Sequence, residues 1–421
     1  MNDDYLKDLL ERREKFGDLG ALDFMIHREK RRLKTELDRS KFSAGITPVS
    51  SKEKKVIAQA AEMYRTCGAE YALALLEENK LLNHPFSYLL RANNKLNSDS
   101  SWLAGLNAYL QSNKQDPVGL RAGQRSRILR LEGKPKQIVT DGPKVSVIMP
   151  AFNAEQTLSL AAESILNQGW RNIELVIIDD CSSDSTWSVC KKLAEQDNRV
   201  VILRNSCNVG PYVSKNRALG QTSGEWVTGH DADDWALPDR IATQVNRITS
   251  QGNLAEVGHM IRVRVNGEFS HLGRVTSFSP DGCKRLASIS TMFRREFLIG
   301  RLGAWDSVRF GADSELLARA ELACGKPVPR HPDITMICLD EETSLTNHPE
   351  FGVSKTSGLS LPRKQYRESW TEWHKTLAPD RVYLAFPHVP RLFDAPVEAT
   401  VDDESIFGLV SSVPSEKAFS Q

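Results

Sequence analysis

The sequence predicts an α/β protein whose mixed, mostly parallel sheet has helices on its flanks and an all-helical region before it. Apolar residues recur at helical spacing from Val56 to Gln115, and short apolar runs alternate with amphipathic stretches after Lys144. The second pattern is typical of βαβ units with a buried parallel sheet. Acidic residues follow several of the predicted strands, at the edge where open α/β sheets bind ligands.

The composition limits what the chain recognises and where it acts. Its 421 residues suggest two or three domains, at a prior of roughly 150 residues each. A formal charge of +1 gives no electrostatic footprint for nucleic acid. Seven cysteines without a C-x-x-C pair favour reduced thiols and a cytoplasmic location. No apolar stretch reaches the roughly 18 residues that span a bilayer, so we expect any contact with the inner face of a membrane to be peripheral.

The first predicted unit is helical and covers residues 1–116. Gly68 and the segments at 83–85 and 97–101 interrupt the apolar spacing, which divides the unit into antiparallel helices. We interpret it as an interaction region. A basic connector with several glycines and prolines follows at 117–143.

Strands and helices alternate through the second unit, residues 144–396, which we divide into halves at 144–248 and 249–396. In the first half, a helix with one apolar stripe is predicted over Glu155–Asn167. The four predicted strands of this half are Val145–Met149, Glu174–Ile178, Val200–Leu203 and Glu225–Thr228. The remaining residues, 397–421, are rich in acidic residues and serine, which predicts a poorly ordered tail.

An acidic cluster in Gly229-His-Asp-Ala-Asp-Asp-Trp235 is the sharpest chemical signal in the chain. It lies where the fourth predicted strand turns into a loop, so the carboxylates of Asp231 and Asp233 can converge on one hard cation. Mg²⁺ or Mn²⁺ there would also hold the oxygens of a diphosphate and neutralise the charge of the leaving group. The alternative is an acidic turn that caps the helix beginning near Pro238. His230 is predicted to reach the edge of the cleft.

Five ordered motifs resemble family 2 glycosyltransferases, which have the GT-A fold. The segments that carry the resemblance are Val-Ser-Val-Ile-Met-Pro-Ala-Phe-Asn (145–153), Glu163-Ser-Ile-Leu-Asn-Gln168, Glu174-Leu-Val-Ile-Ile-Asp-Asp-Cys-Ser-Ser-Asp-Ser-Thr186, Asn208-Val-Gly-Pro with Lys215-Asn-Arg-Ala-Leu219, and Asp231-Ala-Asp-Asp-Trp-Ala-Leu-Pro-Asp-Arg240. Their order and spacing argue against chance similarity. A further segment, Trp305–Arg319, extends the resemblance towards residue 350.

The resemblance implies a nucleotide-sugar site at the ends of the first strands. Phe152 and Asp180 would flank the nucleobase. Asp231 and Asp233 would form the DXD pair, which contacts the ribose and the metal ion. Lys215 stands where the family often has arginine, so a bidentate contact would become a point charge. The implied nucleotide-sugar residues are Pro150, Phe152, Asn153, Asp180, Lys215 and Asp231, the metal ligands are Asp231 and Asp233, and Asp234 is a supporting carboxylate.

The resemblance also places the catalytic base in the Trp305–Arg319 segment. Asp313 is the candidate, and Glu315 two residues further on is the second choice. An inverting transfer needs one carboxylate within hydrogen-bond reach of the acceptor hydroxyl, opposite the leaving diphosphate. The alternative for both acids is an interaction with the helix dipole. His348 is a candidate third metal ligand, and a surface histidine is the alternative.

The sequence therefore predicts an inverting, metal-dependent hexosyltransferase that uses a nucleotide diphosphate sugar, with a UDP-sugar favoured and Mn²⁺ or Mg²⁺ as cofactor. A Gln-x-x-Arg-Trp motif is missing after the candidate base, which favours non-processive transfer. The expected acceptor is a saccharide, glycolipid or glycoprotein in cell-surface polysaccharide assembly. Residues 1–116 would bind the acceptor, a protein partner or a second copy. The alternative is a catalytically inactive scaffold of the same fold that acts through these residues.

Overall fold

The computed structural model describes residues 49–411, apart from 277, 343 and 355–357. The beginning of the helical region and the end of the predicted tail lie outside the described residues.

Four helices make up the described part of the amino-terminal region, as predicted. They are α1 (Ser51–Cys67), α2 (Ala69–Glu78), α3 (Pro85–Asn93) and α4 (Asp99–Ser112). Ser50 and Glu53 form a reciprocal capping box at the start of α1. Gly68 has a φ of 99° and separates α1 from α2, because few residues other than glycine adopt that conformation.

These helices pack directly against the α/β unit. The Trp102 ring stacks on Phe269 with 5.1 Å between ring centroids, and its Nε1 donates to the Gly267 carbonyl at 2.6 Å. The Tyr109 hydroxyl donates to Asp281 at 2.8 Å. One hydrophobic core therefore contains residues of both regions.

The α/β unit contains short and long strands in one main sheet and two small hairpins. The strands are β1 (Gly119–Leu120), β2 (Leu131–Glu132), β3 (Val145–Ala151), β4 (Ile173–Asp179), β5 (Val200–Arg204), β6 (Trp226–Gly229), β7 (Trp235–Ala236), β8 (Ala255–Val263), β9 (Phe269–Ser270), β10 (Arg285–Leu286), β11 (Met292–Arg294), β12 (Arg330–Leu339), β13 (Val353–Ser354) and β14 (Gly358–Leu359). The helices are α5 (Leu158–Leu166), α6 (Thr186–Gln196), α7 (Gly210–Leu219), α8 (Arg240–Ser250), α9 (Arg295–Phe297), α10 (Ala312–Cys324), α11 (Leu361–Thr376) and α12 (Asp403–Ser411).

The main sheet has the order β5-β4-β3-β6-β11-β8-β12-β7. The pairs β5–β4, β4–β3, β3–β6 and β8–β12 are parallel, and the short strand β11 joins the two halves by antiparallel pairing. Every residue of β3 and β4 is buried, as expected for strands that are covered on both faces. The predicted α/β class with a mixed, mostly parallel sheet is confirmed.

The expected poorly ordered tail contains a helix instead. Helix α12 buries Ile406 and Leu409 against Val209 and Val213, which lie at and within the start of α7. The acidic residues that suggested disorder lie at the amino-terminal end of α12, where negative charge interacts favourably with the helix dipole. Within the described residues, no helix combines the length and the apolar composition needed to cross a bilayer.

We expect Trp102→Ala to lower the free energy of unfolding by about 3–5 kcal/mol, because it empties a fully buried aromatic position in the shared core. Urea denaturation followed by tryptophan fluorescence and circular dichroism measures the loss. Tyr71→Ala is the matched control, since the Tyr71 side chain on α2 is 63% exposed. Equal stability of the two variants would contradict the shared core.

Candidate active site

Three adjacent parallel strands bring the candidate residues to one edge of the sheet. Phe152, Asp180 and Asp231 come within two residues of the carboxyl ends of β3, β4 and β6. The pairing continues past the strands, because the Asp180 amide donates to the Ala151 carbonyl at 2.8 Å and the His230 amide donates to the Ile148 carbonyl at 3.0 Å. The predicted acidic edge therefore exists as a continuous surface.

Asp180 is almost completely buried and hydrogen-bonded. Its Oδ1 accepts from the Val209 amide at 3.0 Å and from Asn205 Nδ2 at 2.6 Å, and its Oδ2 accepts from the Gly210 amide at 2.7 Å. Burial raises the pKa of Asp180 despite these hydrogen bonds. The Ser214 side chain also acts on this carboxylate and lowers its pKa.

Phe152 and Asn153 form the turn that follows β3. The Phe152 side chain is 51% exposed, so a large apolar ring faces solvent beside a buried carboxylate. Asn153 has a φ of 49°, and its side-chain oxygen accepts from the Ser183 amide at 3.0 Å. Asn153 thus holds the loop after β4 against this turn, while Pro150 lies inside β3 and is buried.

Asp231 and Asp233 are half-buried and close enough for their charges to repel. Neither carboxylate receives a hydrogen bond from any other described residue. Burial and then the charge of Asp231 raise the pKa of Asp233 to about 7. Burial also raises the pKa of Asp231, and the nearby ammonium of Lys215 offsets part of this rise. The neighbouring cations therefore compensate the charges of this pair only in part.

Asp234 contributes to the structure of the same loop. It is buried, and its Oδ1 accepts from the Leu339 amide at 3.2 Å, which ties the loop to the end of β12. Burial and the charges of Asp233 and Asp231 raise its pKa well above the ordinary value.

The expectation that His230 reaches the edge of the cleft is wrong. His230 is fully buried, and its Nδ1 accepts from Arg240 at 3.1 Å. Because arginine can only donate, Nε2 carries the proton and donates to the Asp234 carbonyl at 3.2 Å. Arg240 also donates to the Gly229 carbonyl at 2.8 Å and to Thr228 Oγ1 at 2.9 Å, so the end of β6 is fixed from inside.

Asp313 lies in the first turn of α10 and receives donors from three residues. Lys215 Nζ is 3.1 Å from both carboxylate oxygens, Trp305 Nε1 donates to Oδ1 at 2.9 Å, and the Tyr212 hydroxyl donates to Oδ2 at 3.2 Å. The Lys215 side chain is buried, so its ammonium is committed to this ion pair. The charges of Asp313 and Asp231 interact, which places the candidate base beside the acidic loop.

Glu315, the second candidate base, lies in a buried cluster. Its carboxylate accepts from Arg319 at 2.7 Å and contacts His374 Nε2 at 2.9 Å. Burial acts to raise the pKa of Glu315, but Arg319 and His374 outweigh it and lower the pKa. Both partners of the Glu315–Arg319 pair lie on α10 and are fully inaccessible to solvent, so neither faces a substrate. Arg319 also donates to the Ala304 carbonyl at 2.6 Å, which connects α10 to the segment before it.

His348 stacks on Phe351 with 3.5 Å between ring centroids, and Phe351 stacks on Phe310 in turn. His348 Nδ1 accepts from the Glu350 amide at 3.3 Å. Its assignment as a metal ligand stays a prediction. Within the described residues, no three His, Cys, Asp or Glu side chains are arranged to hold a metal ion.

The residues at the acidic loop nevertheless fit a hard divalent cation. Asp231 and Asp233 provide carboxylate oxygens, which Mg²⁺ and Mn²⁺ prefer, and they lack other partners. Mg²⁺ typically keeps several water molecules and uses one or two carboxylates together with substrate phosphates. Two unpartnered carboxylates are therefore a sufficient protein contribution.

Sequence reasoning missed several residues that surround this site. Arg262 lies at the carboxyl end of β8. Burial acts to lower the pKa of Arg262, but neighbouring acids, Asp234 and Asp233 among them, outweigh burial and raise the pKa. Tyr212 and Trp305 bond to the candidate base as described above. The position of Arg262 at the end of a strand was available from the sequence, whereas the contacts of Trp305 depend on the packing of a loop.

The structure has an α/β domain with an acidic strand edge, and part of this domain is similar to known glycosyltransferases. Residues 146–303 match the family model for glycosyl transferase family 2. This match supports the resemblance of this part of the chain to family 2 glycosyltransferases. The candidate base Asp313 lies outside the matched residues.

Similar proteins include enzymes that act on lipid-linked saccharides. The GalNAc(5)-diNAcBac-PP-undecaprenol beta-1,3-glucosyltransferase of Campylobacter jejuni is 34% identical over 160 residues, 38% of this chain and 48% of the relative. The UDP-Glc:alpha-D-GlcNAc-diphosphoundecaprenol beta-1,3-glucosyltransferase WfaP of Escherichia coli is 33% identical over 102 residues, 24% of this chain and 40% of the relative. The chain spans about half of these relatives or less.

Among solved structures, the chain is similar to S. aureus TarS 1–349 in complex with UDP-GlcNAc. The TM-score is 0.39, the sequence identity is 20%, and the match covers 48% of this chain and 60% of that chain.

We expect Asp233→Asn to raise the melting temperature of the metal-free protein by about 2–4 °C, the shift that about 1 kcal/mol causes in a large domain. The raised pKa of Asp233 means that the native state loses stability as pH rises from about 4 to about 7. Asp233→Asn should therefore raise the melting temperature more at pH 8 than at pH 5. Differential scanning calorimetry with EDTA measures both melting temperatures. An equal rise at the two pH values would contradict a raised pKa for Asp233.

Proposed function

We propose that this protein is an inverting, metal-dependent, non-processive glycosyltransferase. It transfers one sugar from a nucleotide diphosphate sugar to a saccharide or glycoconjugate acceptor. The observation that carries the proposal is the juxtaposition of two carboxylates without hydrogen-bond donors, Asp231 and Asp233, with a hydrogen-bonded carboxylate, Asp313, at the acidic edge of a domain similar to family 2 glycosyltransferases.

The donor would bind along the ends of β3, β4 and β6. The exposed Phe152 ring offers area for stacking on a nucleobase, and the Asp180 carboxylate beside it is an acceptor suited to a base N–H group. Uracil presents such a group beside its carbonyl oxygens, which supports a UDP-sugar. Pro150 and Asn153 shape the strand end and the turn that hold the ring in place.

A divalent cation held by Asp231 and Asp233 would neutralise the charge of the departing diphosphate. Arg240 and His230 hold this loop from within the core, so the two carboxylates keep their places without the ion. The carboxylate oxygens that would bind the ion are held in fixed, partly buried positions. The site therefore needs little reorganisation during the reaction, which favours electrostatic catalysis.

Asp313 would take the proton from the acceptor hydroxyl as that oxygen attacks the anomeric carbon. Lys215 pairs with the carboxylate, and Trp305 and Tyr212 fix its orientation. In this role Lys215 acts on the base, and its predicted role in binding the nucleotide sugar remains a separate proposal. Glu315 is not proposed as the base, because it is fully buried and paired with Arg319.

The printed names of two relatives guide the proposed acceptor class. Both the Campylobacter jejuni and the Escherichia coli enzymes act on saccharides linked to undecaprenol through a diphosphate, by name. We propose a saccharide or glycolipid acceptor in cell-surface polysaccharide assembly, reached from the cytoplasmic face. The role of residues 1–116 in binding the acceptor or a partner stays a prediction.

We expect the purified protein to bind at least one member of a panel of UDP- and GDP-sugars when Mn²⁺ is present. Asp233→Ala should weaken this binding at least tenfold, because one of the two ion-holding carboxylates is removed. Isothermal titration calorimetry with Mn²⁺ and with EDTA makes the measurement, and Glu368→Ala is an exposed control on α11. The proposal fails if no nucleotide sugar binds.

The roles of the two acids on α10 are separable by substitution. Asp313→Asn should lower kcat per folded molecule by a factor of about 10²–10⁴, the usual contribution of a general base, while donor affinity stays close to that of the parent protein. Its melting temperature should also fall, because the buried Lys215 loses its partner charge. Glu315→Gln should lower the melting temperature by several degrees, since it leaves Arg319 buried without its partner charge. Its kcat per folded molecule should be preserved. The reverse pattern would make Glu315 the base.

A further inference from the structure

Arg309, in the loop before α10, holds the turn that surrounds the Asp180 carboxylate. Its Nη1 donates to Asn208 Oδ1 at 2.8 Å, and its Nη2 donates to the Asn208 carbonyl at 3.4 Å. The side-chain amide of Asn208 in turn donates to the Asp180 carbonyl at 3.3 Å. The next two residues, Val209 and Gly210, donate their backbone amides to the Asp180 carboxylate. These contacts join Arg309 to Asp180 through residues 208–210, which we call the Asn208 turn.

The Arg309 side chain also packs on the first residue of α7. Gly210 has a φ of 80°, and a Cβ atom at this position would lie 3.3 Å from Arg309 Cγ. That distance is shorter than an ordinary contact between carbon atoms, so glycine allows both the backbone conformation and the close approach. The aliphatic part of Arg309 and its guanidinium group therefore contact different residues of the same turn.

The guanidinium group of Arg309 determines the orientation of Asn208. A guanidinium donates its hydrogen bonds in a planar, rigid fork. Two acceptors of one residue, the side-chain oxygen and the main-chain carbonyl of Asn208, receive this fork. With its oxygen bound to Arg309, the Asn208 side chain directs its NH₂ group to the Asp180 carbonyl. The orientation of the turn thus depends on a residue 101 positions away in the chain.

The segment that ends in α12 holds the backbone of Arg309. The Arg309 amide donates to the Ala399 carbonyl at 2.8 Å, and Val308 pairs with Thr400 in an antiparallel bridge. Helix α12 shares a buried apolar cluster with Val209 of the turn. Arg309 and this segment lie beyond the residues that match the family model. The support of the Asn208 turn therefore comes from outside the matched part of the chain.

We propose that Arg309 is a positioning residue for nucleotide binding. It keeps the Asn208 turn closed on Asp180, so that the Asp180 carboxylate meets the nucleobase in one orientation. Arg309 does not itself contact the nucleotide. This inference rests on the proposed function, in which Asp180 accepts from the base. It adds a residue that determines donor affinity and leaves the transfer step unchanged.

The first test measures the binding of UDP to the full chain in the presence of Mn²⁺. Arg309→Ala should weaken this binding about tenfold, the factor that the loss of one hydrogen bond to a charged group produces. The turn would then be closed in only a fraction of the molecules, and the apparent affinity falls by that fraction. Isothermal titration calorimetry gives the dissociation constant. With a saturating UDP-sugar, kcat should stay close to that of the parent protein while KM for the donor rises.

Two further arginine variants provide the comparison. Arg301 is exposed and donates to the Pro379 carbonyl at 3.1 Å, so Arg301→Ala also removes an arginine and a hydrogen bond. This matched control should bind UDP as the parent protein does. Arg309→Lys should recover part of the lost affinity, because an ammonium group can still donate to Asn208 but lacks the fork. Equal binding of UDP by Arg309→Ala and the parent protein would overturn the proposal.

A double-mutant cycle with Asn208→Ala distinguishes positioning from direct contact. If Arg309 acts through Asn208, then Arg309→Ala should have little effect on UDP binding once Asn208 is already alanine. If Arg309 contacts the nucleotide itself, the two substitutions should weaken binding independently. The same fold-loss in both backgrounds would therefore overturn the positioning role.

Hydrogen–deuterium exchange without nucleotide tests the hold of Arg309 on the turn directly. Mass spectrometry of the peptide that covers the Asn208 turn should show faster exchange of the Val209 and Gly210 amides in Arg309→Ala, with β3 as the unchanged reference. Unchanged exchange at these amides would overturn the proposal even if UDP binding falls. If the parent protein binds neither UDP nor GDP, the proposed transfer function fails, and the role of Arg309 in nucleotide binding fails with it. If the parent binds UDP but Arg309→Ala binds it equally well, the positioning role alone fails.

Discussion

The burial of several carboxylates at one sheet edge is the constraint on which the rest of this structure depends. Carboxylates removed from water and placed near each other are unfavourable unless each finds compensation. Asp180 accepts from backbone and side-chain amides, Asp234 accepts from the Leu339 amide, and Asp313 pairs with the buried ammonium of Lys215. Asp231 and Asp233 have no such compensation, so they are where an added cation gains the most.

The surroundings of the acidic loop keep this unfavourable arrangement in place. The loop cannot relax towards solvent, because Arg240 bonds to the end of β6 and to the His230 ring beneath it. The mixed sheet adds a second restraint, since β12 pairs with both β8 and β7 and holds the loop between β6 and β7 from the other half of the domain. The two halves of the domain therefore define the site together.

The amino-terminal helices share a hydrophobic core with the α/β unit. Their apolar faces are buried against β8, β9 and β12 in one core. The two regions therefore stabilise each other through packing, although their architectures differ.

The sequence by itself determined the helical region, the first four strands and the place of the acidic edge, but not the helix near the carboxyl end. Apolar periodicity located the four helices and the first four strands, and parallel strands necessarily end at a common edge, which brought Asp180 and Asp231 together. The family motifs added the candidate roles of individual residues. These features are local or follow from strand direction, so short stretches of sequence encode them.

Only the tertiary structure decided which partner each charged residue has. Asp313 and Glu315 are two residues apart, but that separation places them about 200° apart around α10, so one faces Lys215 and the other faces Arg319. The Lys215–Asp313 pair joins residues separated by 98 positions, and His230 is buried because Arg240 reaches it from the next helix. Such contacts depend on how elements pack at a distance, and no local pattern of residues specifies them.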